Sequence, residues 1–319
     1  MPVDPSPAAS GIAKDDTVVV FRTQTSDVRG RLVRLGRTLD AIVAPHNMPD
    51  AAGQAMSEAL ALAALCGSAL PAEGNLNLQT RSDGGVSILV ADYAATGRLR
   101  GYARYDTAKL AEREELKLRR DAGDVLGTGH LAITLDPGPG EERYQGILAF
   151  EDAPLAATAA AYFEQREALP TFIRLSVARH CVAAHQTSQE ARWHWRAGGL
   201  MVQSLAAASP ERDADASEDW QRVKMLATTV EDHELLDPEL TAQRLLLRLF
   251  HEEAVMIERV IPLSQFCRCS REKVENVLRA FGANDLADMR DDSGQIVVTC
   301  EFCTARYLFS LYDLREPGG

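Results

Sequence analysis

Four cysteines near the end of the chain, Cys267 and Cys269 in CRC and Cys300 and Cys303 in CEFC, are the residues whose spacing carries chemistry. Zinc takes four thiolates in a tetrahedron at about 2.3 Å each, and two cysteines one to four residues apart reach one ion from a single turn. Two such pairs close a site and leave no open position for a substrate. The expectation is one zinc ion per chain on Cys267, Cys269, Cys300 and Cys303. Thiolates are also the species that oxidants attack. Spacing alone therefore leaves two roles open, a structural zinc ribbon and a redox-regulated site.

The thirty residues between the pairs must position them. Val274, Val277, Leu278 and Phe281 recur at helical spacing, Gly282 acts as a stop, and Asp292-Ser293-Gly294 precedes a β-rich run at 296–299. A small module of helix plus hairpin is expected.

A chain of 319 residues is long enough for a large core plus such a unit. The formal charge of −12 argues against nucleic acid as the main partner, because phosphate binding draws on clustered Lys and Arg. The N-terminus lacks a basic stretch followed by an apolar one. The longest apolar run, residues 59–70, is shorter than the roughly 20 residues of a membrane span. A cytoplasmic protein without membrane contact is expected, and in that reducing compartment paired cysteines bind metal or sense oxidants.

Residues 1–14 read as a flexible Pro/Ala-rich tail. Strands are expected at the VVVF run from Thr17 and over 28–35, then a helix over 51–70. A meander over 76–105 follows, turning at Ser82-Asp83-Gly84-Gly85, with further strands at 130–135 and 144–150. A helix over 155–168 precedes strands near 172–177 and 193–203. Without regular βα alternation this is an α+β fold, a mixed core with antiparallel sheets. Composition shifts to Ala, Ser, Pro, Asp and Glu at 206–219. The division expected is a core at 15–208, a helical linker at 209–258 and the cysteine module at 259–319. In the linker, Ala242, Leu245, Leu246, Leu249 and Phe250 form one apolar stripe, so this helix needs a hydrophobic surface to dock on.

The ending FxCxC-S-R-E-K, a gap of about thirty residues and CEFC followed by YLF resembles the 33 kDa heat-shock chaperonins, redox-regulated holdases of bacteria. Glu142-Arg143-Tyr144-Gln145-Gly146, Tyr162-Phe163 through Leu169-Pro170-Thr171, Gly198-Gly199-Leu200-Met201-Val202-Gln203 and Arg248-Leu249-Phe250-His251-Glu252-Glu253 match the same family in order. The sequence departs from the pattern at Thr304, where zinc knuckles favour glycine, and over residues 178–196, a longer stretch that reads as a surface-loop insertion. The resemblance implies an ATP-independent holdase, inactive when reduced and zinc-bound. Oxidation releases zinc and uncovers a surface on the core that binds unfolding proteins. The resemblance further implies a reduced monomer, an oxidised homodimer, and clients handed to ATP-dependent foldases. For the oxidised state, disulfides Cys267–Cys269 and Cys300–Cys303 are expected, since neighbouring thiols have the highest effective concentration once the module unfolds.

Other candidates carry less. Cys66 lies in an Ala/Leu-rich helical run and reads as core packing. Cys181 with His180, His185 and His194 has irregular spacing, so these read as loop residues and not a second metal site. Gly127-Thr128-Gly129 and Gly138-Pro139-Gly140 read as turns, since no Walker lysine follows. No nucleophile elbow or HExxH helix appears, and no enzyme is expected. Two alternatives stand: a thiol-disulfide oxidoreductase using Cys300 and Cys303, and a constitutive zinc-ribbon protein adaptor.

Overall fold

The computed structural model describes residues 15–115, 125–182, 192–205 and 215–314. The chain forms two compact units, 1–265 and 266–319. The expected N-terminal tail, residue His185 and residues 206–214 of the 206–219 composition shift lie outside the described residues.

Two antiparallel sheets build the first unit. Strands β1 (Thr17–Thr23), β2 (Val28–Leu35), β8 (Thr171–Val182), β9 (Arg192–Ser204) and β10 (Val255–Pro262) form one, in the order β10-β1-β2-β9-β8. The other contains β3 (Asn75–Ser82), β4 (Val86–Ala94), β5 (Arg98–Tyr105), β6 (Thr128–Asp136), β7 (Tyr144–Glu151) and the two-residue β11 (Ser264–Gln265), in the order β11-β5-β4-β3-β6-β7. Only β11 runs parallel to its neighbour. The helices here are α1 (Arg37–Val43), α2 (Asp50–Gly67), α3 (Thr107–Glu115) and α4 (Leu155–Arg166). Helix α2 touches β2, β8 and β9 of the first sheet and β3, β4 and β5 of the second. Its run of alanines and leucines is buried on every side, as a helix enclosed by sheets must be. The α+β class with antiparallel sheets is thus as the sequence reads.

Both faces of the first sheet are covered, which explains the continuous VVVF of β1. Val18 and Val20 point into the core around α2, while Val19 and Phe21 point to the opposite face. There lie α5 (Asp215–Thr228), α6 (Asp232–Leu236) and α7 (Ala242–Phe250). Gly30 on β2 leaves room for the Phe21 ring, since a Cβ there would collide with it. Phe21 in turn meets Phe250, with ring centroids 5.7 Å apart.

Two sequence readings are corrected. The stretch 178–196 is not simply a loop: β8 and β9 stay paired through it from Ala178↔Arg196 to Val182↔Arg192, with 183–191 outside the described residues. Cys181, His180 and His194 therefore sit on a long hairpin, where strand pairing offers backbone partners that a loop lacks. Thr128 and Gly129 likewise open β6, and Gly127 makes the turn before it with φ +68°.

The second unit holds α8 (Arg271–Leu278), α9 (Ala283–Asp288), β12 (Ile296–Thr299), β13 (Arg306–Phe309) and α10 (Leu311–Leu314). Leu278, Leu286, Ile296, Phe309 and Leu314 are its buried core. Two members of the expected helical stripe are outside it: Val277 is 61% exposed and Phe281 43% exposed. Helix α8 lasts barely two turns, and Gly282 caps α9 and does not merely end α8.

Candidate functional site

The CRC pair precedes α8, whose first turn is capped by Ser270 accepting from the Lys273 amide at 3.2 Å. Arg271 anchors that helix start to the hairpin, donating from Nη1 to the Leu308 carbonyl at 2.7 Å and lying 4.4 Å over the Phe309 ring. The CEFC pair occupies the turn between β12 and β13. The Cys300 amide donates to the Ala305 carbonyl and the Thr304 amide to the Cys300 carbonyl, each at 2.9 Å. Closing this turn requires a left-handed residue, and Thr304 takes φ +57°. A β-branched side chain is disfavoured there, which gives the sequence departure at Thr304 its physical meaning.

These two turns bring all four sulfurs within 4.8 Å of one another. Cys267 Sγ lies 3.2 Å from Cys269 Sγ and 3.7 Å from Cys300 Sγ, and Cys269 Sγ lies 3.4 Å from Cys303 Sγ. A tetrahedral ion with bonds of about 2.3 Å separates its sulfurs by roughly 3.8 Å, so the quartet is close to that size. The residues present fit a divalent cation of the zinc kind: four soft thiolate donors and no carboxylate among them. With no cation, burial pushes the Cys303 thiol up to about 12. A bound cation acts in the opposite direction and keeps coordinating thiols deprotonated.

Tyr307 is a participant that the spacing argument did not single out. Its hydroxyl donates to Cys269 Sγ at 3.2 Å, a contact that raises the phenol's own pKa to about 12. The tyrosine of the YLF segment is its only trace in the sequence.

Among the described residues no other group of three or more His, Cys, Asp or Glu side chains gathers in this way. Cys66 is buried on α2, and burial pushes its thiol up to about 12. Cys181 is exposed on β8 opposite Trp193. His194 Nδ1 contacts Asp40 Oδ2 at 2.8 Å.

The apolar stripe of α7 lies in the first unit. Ala242, Leu245, Leu246, Leu249 and Phe250 are all buried in one cluster with Val19, Phe21, Leu32, Leu200 and Val202 of the sheet and Trp220 and Val223 of α5. Polar anchors surround it. Arg34, itself buried on β2, donates to the carbonyls of Leu240 and Glu234, Arg196 donates to the Leu236 carbonyl at 3.0 Å, and Arg174 pairs with Asp232 at 2.9 Å.

The Hsp33 protein family model matches residues 16–310. The 33 kDa chaperonin of Caulobacter vibrioides is 39% identical over 95% of this chain and 96% of its own length. That of Pseudomonas syringae pv. tomato is 35% identical over 93% and 91%. Among solved structures, the 33 kDa chaperonin (heat shock protein 33 homolog) of Thermotoga maritima superposes with a TM-score of 0.74 at 21% identity, covering 94% of this chain and 97% of that one, a likeness of fold. A match that runs through both the sheet unit and the cysteine unit places the chain in the Hsp33 family of chaperones.

Proposed function

We propose that this chaperone is an ATP-independent holdase, inactive while its four thiols are reduced and zinc-bound and activated when they are oxidised. The observation that carries the reading is the pairing, in one chain, of a four-sulfur cluster with an apolar sheet face covered by separable helices. Cys267, Cys269, Cys300 and Cys303 are the proposed ligands. Zinc, when bound, supplies a cross-link worth an apparent ~10–16 kcal/mol in small zinc peptides, well beyond what a core of five buried side chains contributes.

Peroxide takes two electrons from each pair of thiolates and two protons from solvent, leaving a disulfide and two molecules of water. With Cys267–Cys269 and Cys300–Cys303 formed, no thiolate remains to hold a cation, and the small unit loses its staple. The linker, residues 209–258, is the bistable element. Its release uncovers Val19, Phe21, Leu32, Leu200 and Val202, which bind apolar segments of unfolding clients. The reduced form is a cytoplasmic monomer, the oxidised form a homodimer that passes clients to ATP-dependent foldases. Catalysis plays no part in this scheme. The CEFC pair sits in a hairpin turn, whereas a thioredoxin-like thiol draws its acidity from a helix N-terminus.

The test measures zinc content, free thiols and suppression of a model protein's aggregation before and after peroxide at elevated temperature. One zinc and no suppression before, then no zinc, four fewer thiols and suppression after, is the expected result. Equal suppression in both states instead identifies a constitutive adaptor, and insulin reduction at catalytic rates identifies an oxidoreductase.

A further inference from the structure

A cavity of about 270 Å³ opens in the first unit between the inner face of the first sheet and the C-terminal end of α2, lined by Val20, Arg29, Arg31, Ala69, Glu258 and Arg259. Three guanidiniums share it with a single carboxylate. Arg31 forms its buried wall at 4% exposure, donating from Nη1 to the neutral Gln203 Oε1 at 2.6 Å. The buried Nε atoms of Arg31 and Arg29 have no hydrogen-bond partner. Glu258 stands 3.8 Å from Arg29 Nε, too far for a hydrogen bond, and it is shared with Arg22 at 3.9 Å. Arg259 donates from Nη2 to the Ser68 carbonyl at the end of α2, 2.5 Å away.

A β-bulge builds this arrangement. Val20 pairs with Arg259 and Phe21 with Ile257, so Glu258 is the extra residue in β10. Ile257 and Val260 both pack against the docked helices, and the two residues between them turn together toward the cavity. A regular strand would send one of them to the opposite face.

Burial disfavours the charge on Arg31, and Arg29 and Arg259 add to that effect, while Cys66 and Glu258 act the other way. A guanidinium does not escape by losing its proton, so the buried Arg31, flanked by the half-buried Arg29 and the exposed Arg259 with one carboxylate between them, calls for an anion. We infer that Arg29, Arg31 and Arg259 form an oxyanion site for a phosphate group, either free phosphate or a phosphomonoester. Three positive charges less one carboxylate leave +2, which matches the roughly −1.5 to −2 of a phosphate near neutral pH. Guanidinium forks suit phosphate oxygens geometrically. A phosphate held there joins β2, β10 and the end of α2, and β10 is the strand that directly follows the docked helices. The site shares no residue with the four clustered cysteines.

The experiment titrates inorganic phosphate into the reduced full-length protein by calorimetry and follows its melting temperature against sodium chloride of equal ionic strength. One saturable site and a rise in melting temperature beyond the chloride control are expected. Arg259→Gln lies at the cavity rim and is expected to bind at least about tenfold more weakly while keeping its circular dichroism and thiol count. Arg29→Gln is the second variant, should Arg259→Gln fail to fold. Phenyl phosphate binding more tightly than the free ion identifies a phosphomonoester ligand, and the reverse order identifies free phosphate. Absence of saturable binding by either, or undiminished affinity in both variants, overturns the assignment.

Discussion

Arg222 on α5 donates from Nε to Glu253 Oε1 at 2.7 Å, just beyond the end of α7. Glu253 is 1% exposed and accepts a second hydrogen bond, from Ser26 Oγ at 2.7 Å, between β1 and β2. One buried carboxylate thus ties two linker helices to the sheet they cover. Burial by itself raises the Glu253 pKa, but the hydrogen bonds from Arg222 and Ser26 outweigh it and hold the carboxyl below its usual value.

A group whose folded pKa is depressed gives stability that is present above its unfolded pKa and lost as pH falls through the folded one. Helix docking is therefore expected to be at full strength above the ordinary glutamate range and to weaken as pH drops below it. Trp220, buried on α5, reports the change through a red shift in emission. Glu253→Gln should be destabilised at neutral pH and lose this step of the acid dependence. An unchanged acid transition in that variant would show that other carboxylates control docking.

Leu246→Asp addresses the docked stripe directly. Losing a buried leucine forfeits about 2–5 kcal/mol, and an unpaired buried carboxylate adds several more, so the helix leaves the sheet. No cysteine is touched. The reduced, zinc-loaded variant should already suppress client aggregation in light-scattering assays, where the unmutated reduced protein does not. An undocked, protease-sensitive linker without that activity places the client surface elsewhere.

Thr304→Gly removes a β-branched residue from the left-handed region at the CEFC turn. The relief is about 1–2 kcal/mol, offset by the added freedom of glycine in the unfolded chain. Zinc retention against a competing chelator should strengthen by a few-fold. Thr304→Val keeps the strain and loses the Oγ1 hydrogen bond to the Cys303 carbonyl at 2.7 Å, so it should weaken retention.

Tyr307→Phe deletes the hydroxyl that donates to Cys269 Sγ. Outer hydrogen bonds of this type are worth about 10–100-fold in metal affinity. Faster zinc release on peroxide addition, followed with a colorimetric chelator, is the expected outcome; an unchanged rate means the hydroxyl is idle.

Disulfide pairing is the fifth test. In the folded unit Cys269 is nearly as close to Cys303 as to Cys267, 3.4 Å against 3.2 Å, so distance there selects no partner. If pairing is set after unfolding, as proposed, peptide mapping should find Cys267–Cys269 and Cys300–Cys303. Mostly crossed pairs would contradict an unfolded intermediate. The Cys267–Cys269 bridge, between residues two apart, should be the more easily reduced.

Much of this was legible in the chain itself because local signals agreed with the fold. The meander announced its turn through Ser82-Asp83-Gly84-Gly85, and the stripe on α7 followed helical period closely. Where a signal was missing, a tertiary cause can be named. Strand β10 escaped notice because its bulge breaks the alternation of Ile257, Glu258, Arg259 and Val260. The expected end of the linker, residue 258, falls inside that strand. Helix α1 is seven residues and α9 six, too short to show a period. Val277 and Phe281 fit a helical stripe, yet a unit with five buried side chains has nothing to cover them with. The arginine cavity was invisible, since Arg29 and Arg31 meet Arg259 only through the sheet.

The two strands after α7 have a mechanical consequence. Between Gln265, the last residue of β11, and Cys267 stands only Phe266. The chain leading up to the cysteine unit is thus paired as far as Gln265, by a two-residue seam on β5 and, before it, by the seven-rung ladder from Thr17↔Pro262 to Thr23↔Val255. Tension arising when the cysteine unit unravels meets the weakest stitching first. It parts β11, then runs up β10 like an opening zip, and only at Val255 does it reach the foot of the docked helices. On the proposed mechanism the length of that seam would act as a fuse, setting a delay between damage at the sulfurs and the moment the sheet is bared.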